Sequence, residues 1–343
     1  MRNLLVIFLI FSSFISQSQT GGEHVFALLD LNFNARSAAL GGDFISVRDQ
    51  DVNLAVLNPS MINDRMKTGL GFNQALLPSG INYGMVAYGQ QTKYGLIVPH
   101  IRYVSYGEFR RTDITGADMG SFSPFECIAG VGYGKSLNPR ISVGANVNLI
   151  YSQLEAYSSF GTGVDLSGTY THENENLYVT ALVKNAGIQW KSYVKDQRAS
   201  LPTEFQMAVS YKLNHASFRF SLLAHHLNKW DITYNDPNLK PTLDPLTGDT
   251  IPVPVAGFGE KLARHFTYQM EILVSKNIHL RMGFDYHKRQ EMKLESRPGI
   301  SGFSFGTGLY FKRISVDYGF VINSRAGFTN LLTLSTQLSK WRK

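Results

Sequence analysis

The segment Ile141–Ser152 reads ISVGANVNLIYS, and its rhythm decides the architecture. Ile141, Val143, Ala145, Val147, Leu149 and Tyr151 fall on one side of an extended chain. Ser142, Gly144, Asn146, Asn148 and Ser152 fall on the other, with Ile150 the one apolar residue among them. Successive side chains of a strand point to opposite faces, so the alternation makes one greasy face and one polar face. The pattern returns in Phe205-Met207-Val209-Tyr211-Leu213, Phe266-Tyr268-Met270-Ile272-Val274, Ile278-Leu280-Met282-Phe284-Tyr286 and Ile314-Val316-Tyr318-Phe320-Ile322.

Fourteen such segments follow one another, at 66–77, 81–89, 93–104, 124–134, 139–152, 157–170, 176–186, 203–213, 216–229, 264–276, 277–288, 300–312, 313–323 and 329–339. Most exceed the ~5–6 residues usual in soluble strands and match the ~9–11 tilted residues that cross a bilayer. Short connections near 90–92, 135–138, 171–175, 214–215, 276–277 and 312–313 alternate with long ones at 105–123, 187–202, 230–263 and 289–299. The loops at 78–80, 153–156 and 324–328 keep the order but are brief. Short turns at one end and long loops at the other are the pattern of outer-membrane barrels, with the long loops outside the cell and, for an even strand count, both termini periplasmic. The expected fold is therefore all-β: a 14-stranded antiparallel transmembrane β-barrel over 66–343. A large soluble sandwich or propeller is the competing reading, but no blade-length repeat is visible and the strands are too long for it.

Composition agrees. Charged residues are only 17%, aromatics reach 12%, and glycine is plentiful at 31. The net charge of +7 is spread along the chain, which argues against a nucleic-acid partner and leaves outer-membrane lipid as the expected surroundings. The single cysteine, Cys127, excludes an internal disulfide framework and sits in phase with the apolar face of its strand. Residues 1–18 read as a secretory signal: a basic start at Arg2, an apolar run from Leu4 to Ile15, and a small-residue site at Ser16-Gln17-Ser18. Cleavage there leaves Gln19 first.

A fourteen-strand barrel has a lumen too wide for wall side chains to fill. The segment 19–65, which does not alternate, is expected to plug it; a periplasmic arm is the other reading. Its Arg36, Asp43, Arg48, Asp49, Asp51, Asn53 and Asn58 suit a polar interior, where Glu271, Arg281, Asp285 and Asp317 of the strands' polar faces are expected to meet them. Ala35 to Leu40 read as a short helical turn ended by Gly41-Gly42, and Asn58-Pro59 as a turn into the first strand.

Several stretches carry a resemblance. ARSAALGGDFISVRDQDVNLAVLNPS (35–60) resembles the N-terminal signature of the barrel superfamily that includes FadL and PorV. INYGMVAYG (81–89), YVSYGEFRRTDITGADMGSFS (103–123), SFGTGVDLSGTY (159–170) and HASFRFSLLAHHLNKWDITYND (215–236) are more closely similar to the PorQ family. That resemblance implies a non-enzymatic outer-membrane component of the type IX secretion attachment complex of the Bacteroidota. Its implied partners are a surface protein of PorZ type, with PorU and PorV, and its implied task is to anchor that protein so that cargo is attached to surface lipopolysaccharide. The alternative is a FadL-like outer-membrane transporter of a hydrophobic small molecule.

Other constellations mislead. SYVK (192–195) and Lys67-Thr68-Gly69 match penicillin-binding motifs in reversed order and outside a helix start. His225 and His226 are adjacent on an expected strand, so they should point to opposite faces and not chelate together. Glycine runs at 130–134 and 161–163 lack the strand-to-helix setting of a nucleotide loop. No catalytic residue, metal or cofactor is expected. The partner-binding surface is expected in the longest loop, where Pro241 and Pro245 stiffen the chain and Ile251, Val253, Val255 and Phe258 are apolar where a solvated loop would be polar.

Overall fold

A computed structural model describes residues 24–77, 80–234, 241–243, 249–251, 255–292, 299–324 and 327–341. The expected signal sequence lies outside them. Fourteen strands close into one barrel. They are β1 Gly69–Leu76, β2 Asn82–Tyr88, β3 Gly95–Ser105, β4 Phe125–Ser136, β5 Ile141–Leu154, β6 Tyr157–Thr171 and β7 Leu177–Lys191. Then follow β8 Glu204–Lys212, β9 Phe218–Ala224, β10 Phe266–Ile272, β11 Ile278–Asp285, β12 Phe303–Tyr310, β13 Ile314–Ser324 and β14 Gly327–Gln337. A short piece, Gln90–Thr92, prolongs β2 along β3. Every neighbouring pair is antiparallel, and β1 closes the ring on β14, from Gly69 opposite Gln337 to Leu76 opposite Asn330.

The alternation is oriented as a membrane demands. In β5 the apolar Val147 and Leu149 are about half exposed (52% and 49%), whereas Asn146 and Asn148 are wholly buried. A soluble sheet would bury the first pair and wet the second; here lipid takes the place of water outside and the lumen is the interior. No helix among the described residues is long and apolar enough to cross a membrane.

The wall is uneven. Strands β4 to β7 have 12, 14, 15 and 15 residues, while β8 to β12 have only 9, 7, 7, 8 and 8. The expected strands 216–229 and 277–288 are therefore too long. The first stops at Ala224, beyond which His226 adopts φ 55°, and the second ends where Tyr286–Met292 turns helical. The expected loop 187–202 begins later, because β7 continues to Lys191. Nor are the other long loops structureless: Phe109–Thr112 pairs with Asp118–Phe122, Thr242–Leu243 pairs with Thr250–Ile251, and Phe258–Ala263 is helical.

The N-terminal segment lies inside the ring. Helix α1 (Ala35–Ala39) is capped by the Asn34 side chain, which accepts from the Arg36 and Ser37 amides, and it ends at Gly41 with φ 87°. Helix α2 (Leu54–Leu57) leads to Pro59–Met61, which packs on β4, β5 and β6 rather than turning directly into β1. Two glycines explain how closely the segment sits. A Cβ on Gly283 would overlap the Leu40 carbonyl, and one on Gly144 would overlap the Pro59 carbonyl. The largest apolar cluster runs through the lumen, from Leu28, Leu29 and Phe33 against Val104, Ile128 and Ile150 toward the long loops to Val52, Met61 and Met66 toward the short turns.

Candidate functional site

The polar faces of the strands converge on Arg36. Its guanidinium is 3% exposed and donates to Glu271 at 2.9 and 3.1 Å and to Asp49 at 2.6 Å, with Asp51 at 3.7 Å. Glu271 also receives Arg219 at 2.5 Å and Arg281 at 3.0 Å, and Arg281 reaches Asp317 at 2.6 Å. Three guanidiniums thus surround one fully buried carboxylate, and the ring of charge joins α1 to β9, β10, β11 and β13. Charges out of water are sustained only when paired and hydrogen-bonded with good geometry, which is met here through Arg36. Arg36 also lies over the Phe44 ring, 5.0 Å from its centroid.

The other expected lumen residues are placed differently from one another. Asp43 meets Lys184 of β7 at 2.7 Å and Gln206 of β8 at 3.0 Å. Burial opposes its ionisation, but Lys184 and then Gln206 hold its pKa below the usual range. Asn53 donates to Ser335 of β14 at 3.1 Å and accepts from Asn73 of β1 at 2.7 Å. Asn58 donates to the Ile45 carbonyl at 2.6 Å and faces Thr169 of β6 at 3.4 Å. Four placements correct the expectation: among the described residues Arg281 pairs with Glu271 and Asp317, and Asp317 with Arg281, so both bear on the N-terminal segment only through Glu271. Arg48 meets no acid of the strands; it donates to the Ser136 hydroxyl at 2.7 Å, at the short-turn rim. Asp285 does not reach the N-terminal segment either: it accepts from the Lys288 amide at 3.0 Å, and Lys288 itself donates to the Gly41 carbonyl at 2.9 Å. Lys184, Arg219 and Lys288 were missed. For the first two, the signal was a cation at a polar-face position, in phase with Glu271 and Arg281.

Asp49 and Asp51 share Arg36 unequally. Asp49 has the shorter contact and a lowered pKa. Burial first, and then the Asp49 carboxylate, push Asp51 up to about 6 against the pull of Arg36.

The filled lumen leaves a cleft at each end, with no lining residue in common. At the long-loop end a cleft of about 410 Å³ is lined by Val25, Phe26, Tyr106, Leu154, Tyr193 and Val194, with His24, Glu126 and Gln189 among its polar groups. At the short-turn end a cleft of about 660 Å³ is rimmed by Arg65, Lys212, Lys276, Arg313 and Lys340, with Asp49, Asp51 and Asp317 at its floor. Of the expected partner-binding residues, Pro241 is exposed, and Val255 and Phe258 stand out at 74% and 71%. Phe258 lies against the Trp230 ring, 5.1 Å between centroids. Ile251 belongs to the short ladder in that loop, while Pro245 and Val253 lie outside the described residues.

No protein-family model matches the chain, and no curated protein matches it in sequence. Its fold is that of solved outer-membrane channels. A deltaS2 mutant of the monoaromatic hydrocarbon channel TodX superposes with a TM-score of 0.53 at 13% identity, over 91% of this chain and all of that one. A deltaS2S3 mutant gives 0.52 at 12% identity, over 90% of this chain and 100% of that one. The toluene transporter TodX of Pseudomonas putida gives 0.49 at 13% identity, over 91% and 98%. At such identities the likeness is one of fold: the chain has the 14-stranded antiparallel barrel of these channels.

Proposed function

We propose that the protein is a sealed, non-enzymatic anchor of the type IX attachment complex, holding a PorZ-type protein on its long loops outside the cell. PorU and PorV then join it in passing cargo to surface lipopolysaccharide. The observation that carries this reading is the set of apolar side chains exposed beyond the membrane wall. Phe109 stacks on Phe122 at 5.7 Å in a projecting hairpin whose Ile114 and Met119 are fully and mostly exposed. Trp230, Tyr234, Val255 and Phe258 are exposed above the low wall of β8 to β12. Exposed aromatic clusters of this kind are the usual anchors of a protein interface. The similarity of residues to the PorQ family supports the same reading, and a lumen closed by buried ion pairs suits an anchor that has nothing to pass.

The second reading is passage of a hydrophobic small molecule, and the likeness of fold to hydrocarbon channels favours it over attachment. Two features of the chain support it. The long-loop cleft opens onto the apolar cluster of the N-terminal segment. Strand β7 is also bulged twice, at Val183/Ala186 and Gln189/Lys191, with Asn185 at φ 58°; such bulges re-aim a wall near a site.

One experiment separates the two. Residues 237–256 are replaced by a short Gly-Ser linker, and cells are fractionated. Attachment expects the barrel in the outer membrane and the surface partner shed into the medium. Retention of the partner, with uptake of a monoaromatic hydrocarbon lost on a second change that fills the cleft (Ala199→Trp), decides for passage.

A further inference from the structure

The two histidines after β9 do not behave as neighbours on a strand. The positive φ of His226 turns its ring back on that of His225, so the Nδ1 atoms stand 2.7 Å apart. Glu204, the first residue of β8, brings Oε1 to 3.0 Å from the His226 amide and 3.4 Å from its Nδ1. One ligand atom from each of the three residues lies within 4.8 Å of the other two. His287, in the helix Tyr286–Met292, places its ring 6.2 Å from that of His225 and 6.1 Å from that of His226. Nε2 of His225 and Nδ1 of His287 are buried with no hydrogen-bond partner. A non-glycine residue held at positive φ is strained, and such strain collects at ligand clamps.

We infer that Glu204, His225 and His226 bind a divalent transition metal, zinc by the chemistry of the donors, at the low rim of the barrel. Two imidazoles and a carboxylate are a donor set of zinc sites that keep one open position. Carboxylate and imidazole together disfavour soft Cu(I), and the shortage of oxygen donors disfavours Mg²⁺ and Ca²⁺. Ligands ~2.1 Å from a tetrahedral ion stand roughly 3.4 Å apart, so the two Nδ1 atoms need only part by a fraction of an ångström. The fourth position falls to His287 or to water. Such an ion would tie the start of β8 to the end of β9, at the foot of the long loop 230–263, whichever function that loop serves.

The test uses the full-length barrel in detergent, stripped with chelator and titrated with zinc chloride by calorimetry. One zinc per chain is expected, with an X-ray absorption spectrum showing imidazole in the first shell. Glu204→Gln, His226→Ala and the His225→Ala/His226→Ala double variant should each weaken binding beyond the ~10–100-fold that outer-shell changes cost. His172→Ala, at a short turn on the opposite rim, should leave it unchanged. Retention of the compact band on unheated gels shows which variants fold; if the double variant does not, Glu204→Gln and His226→Ala decide. Absence of binding to the parent, a shell without imidazole, or unchanged affinity in folded Glu204→Gln and His226→Ala overturns the site.

Discussion

Replacing Arg36 by methionine probes the closure of the lumen most directly. Methionine keeps much of the stem's volume but withdraws the charge from Glu271, Asp49 and Asp51. Glu271 suffers least, because Arg219 at 2.5 Å and Arg281 at 3.0 Å still cover it. Asp49 loses its 2.6 Å partner and keeps only partial access to solvent, at 32% exposure. Removing one member of a buried pair costs about 3–5 kcal/mol, and the exposure of Asp49 puts this case near 3. The barrel's own hydrogen bonds are untouched, so the loss falls on the seating of the N-terminal segment. At 1.4 kcal/mol per decade, the unseated population should rise roughly 100-fold. In planar bilayers this should appear as a matching increase in conductance events, and in limited proteolysis as faster cutting within 24–60. Glu271→Gln should also loosen the segment, since it removes the carboxylate three guanidiniums share and leaves Arg219 without an acid among the described residues, while Arg36 keeps Asp49 and Arg281 keeps Asp317. If Arg36→Met stays folded by its gel mobility while conductance and cutting stay within threefold of the parent, the ion network does not hold the segment in place.

Further outcomes follow from the same contacts. The folded pKa of Asp51, about 6, lies above the ~3.9 of an unfolded chain, so its contribution is fully present below pH ~4 and lost as pH rises through 6. Asp51→Asn should therefore raise stability at pH 8 by on the order of 3 kcal/mol and leave it unchanged at pH 4; equal effects at both would refute the assignment. Gly283→Ala should destabilise the seated segment by about 1–3 kcal/mol through overlap with Leu40, read by urea titration. Gly168→Ala, whose nearest contact is 4.0 Å away, should be close to neutral. A tag inserted beside Asn277 should be hidden from antibody on whole cells and one within 244–248 exposed; the reverse would invert the barrel and remove the case for docking on the long loops.

The alternation of apolar and polar residues was enough to read the strands. Period two allows only one assignment of faces, and a one-residue slip would put Asn146 and Asn148 in lipid. It was also enough to read the N-terminal segment as different in kind, because no face of it alternates and its charges sit among alanines and glycines. Pairing across the lumen was not legible. Register alone sets Arg219 and Arg281 opposite Glu271 on the neighbouring strands, but Arg36 and Glu271 are 235 residues apart, and only closure of the sheet around the N-terminal segment brings them together. The same holds for Asp43 with Lys184, and for Asp285, whose place at the end of its strand turns it to Lys288 instead. Nothing in the sequence set Gly144 and Gly283 apart from other strand glycines, whereas the tertiary structure shows the backbone each admits. His225 and His226 mark the limit most clearly. Sequence periodicity assumes the strand continues, and the low wall ends it at Ala224, before either histidine, so a single left-handed φ at the rim decides which way the second ring points.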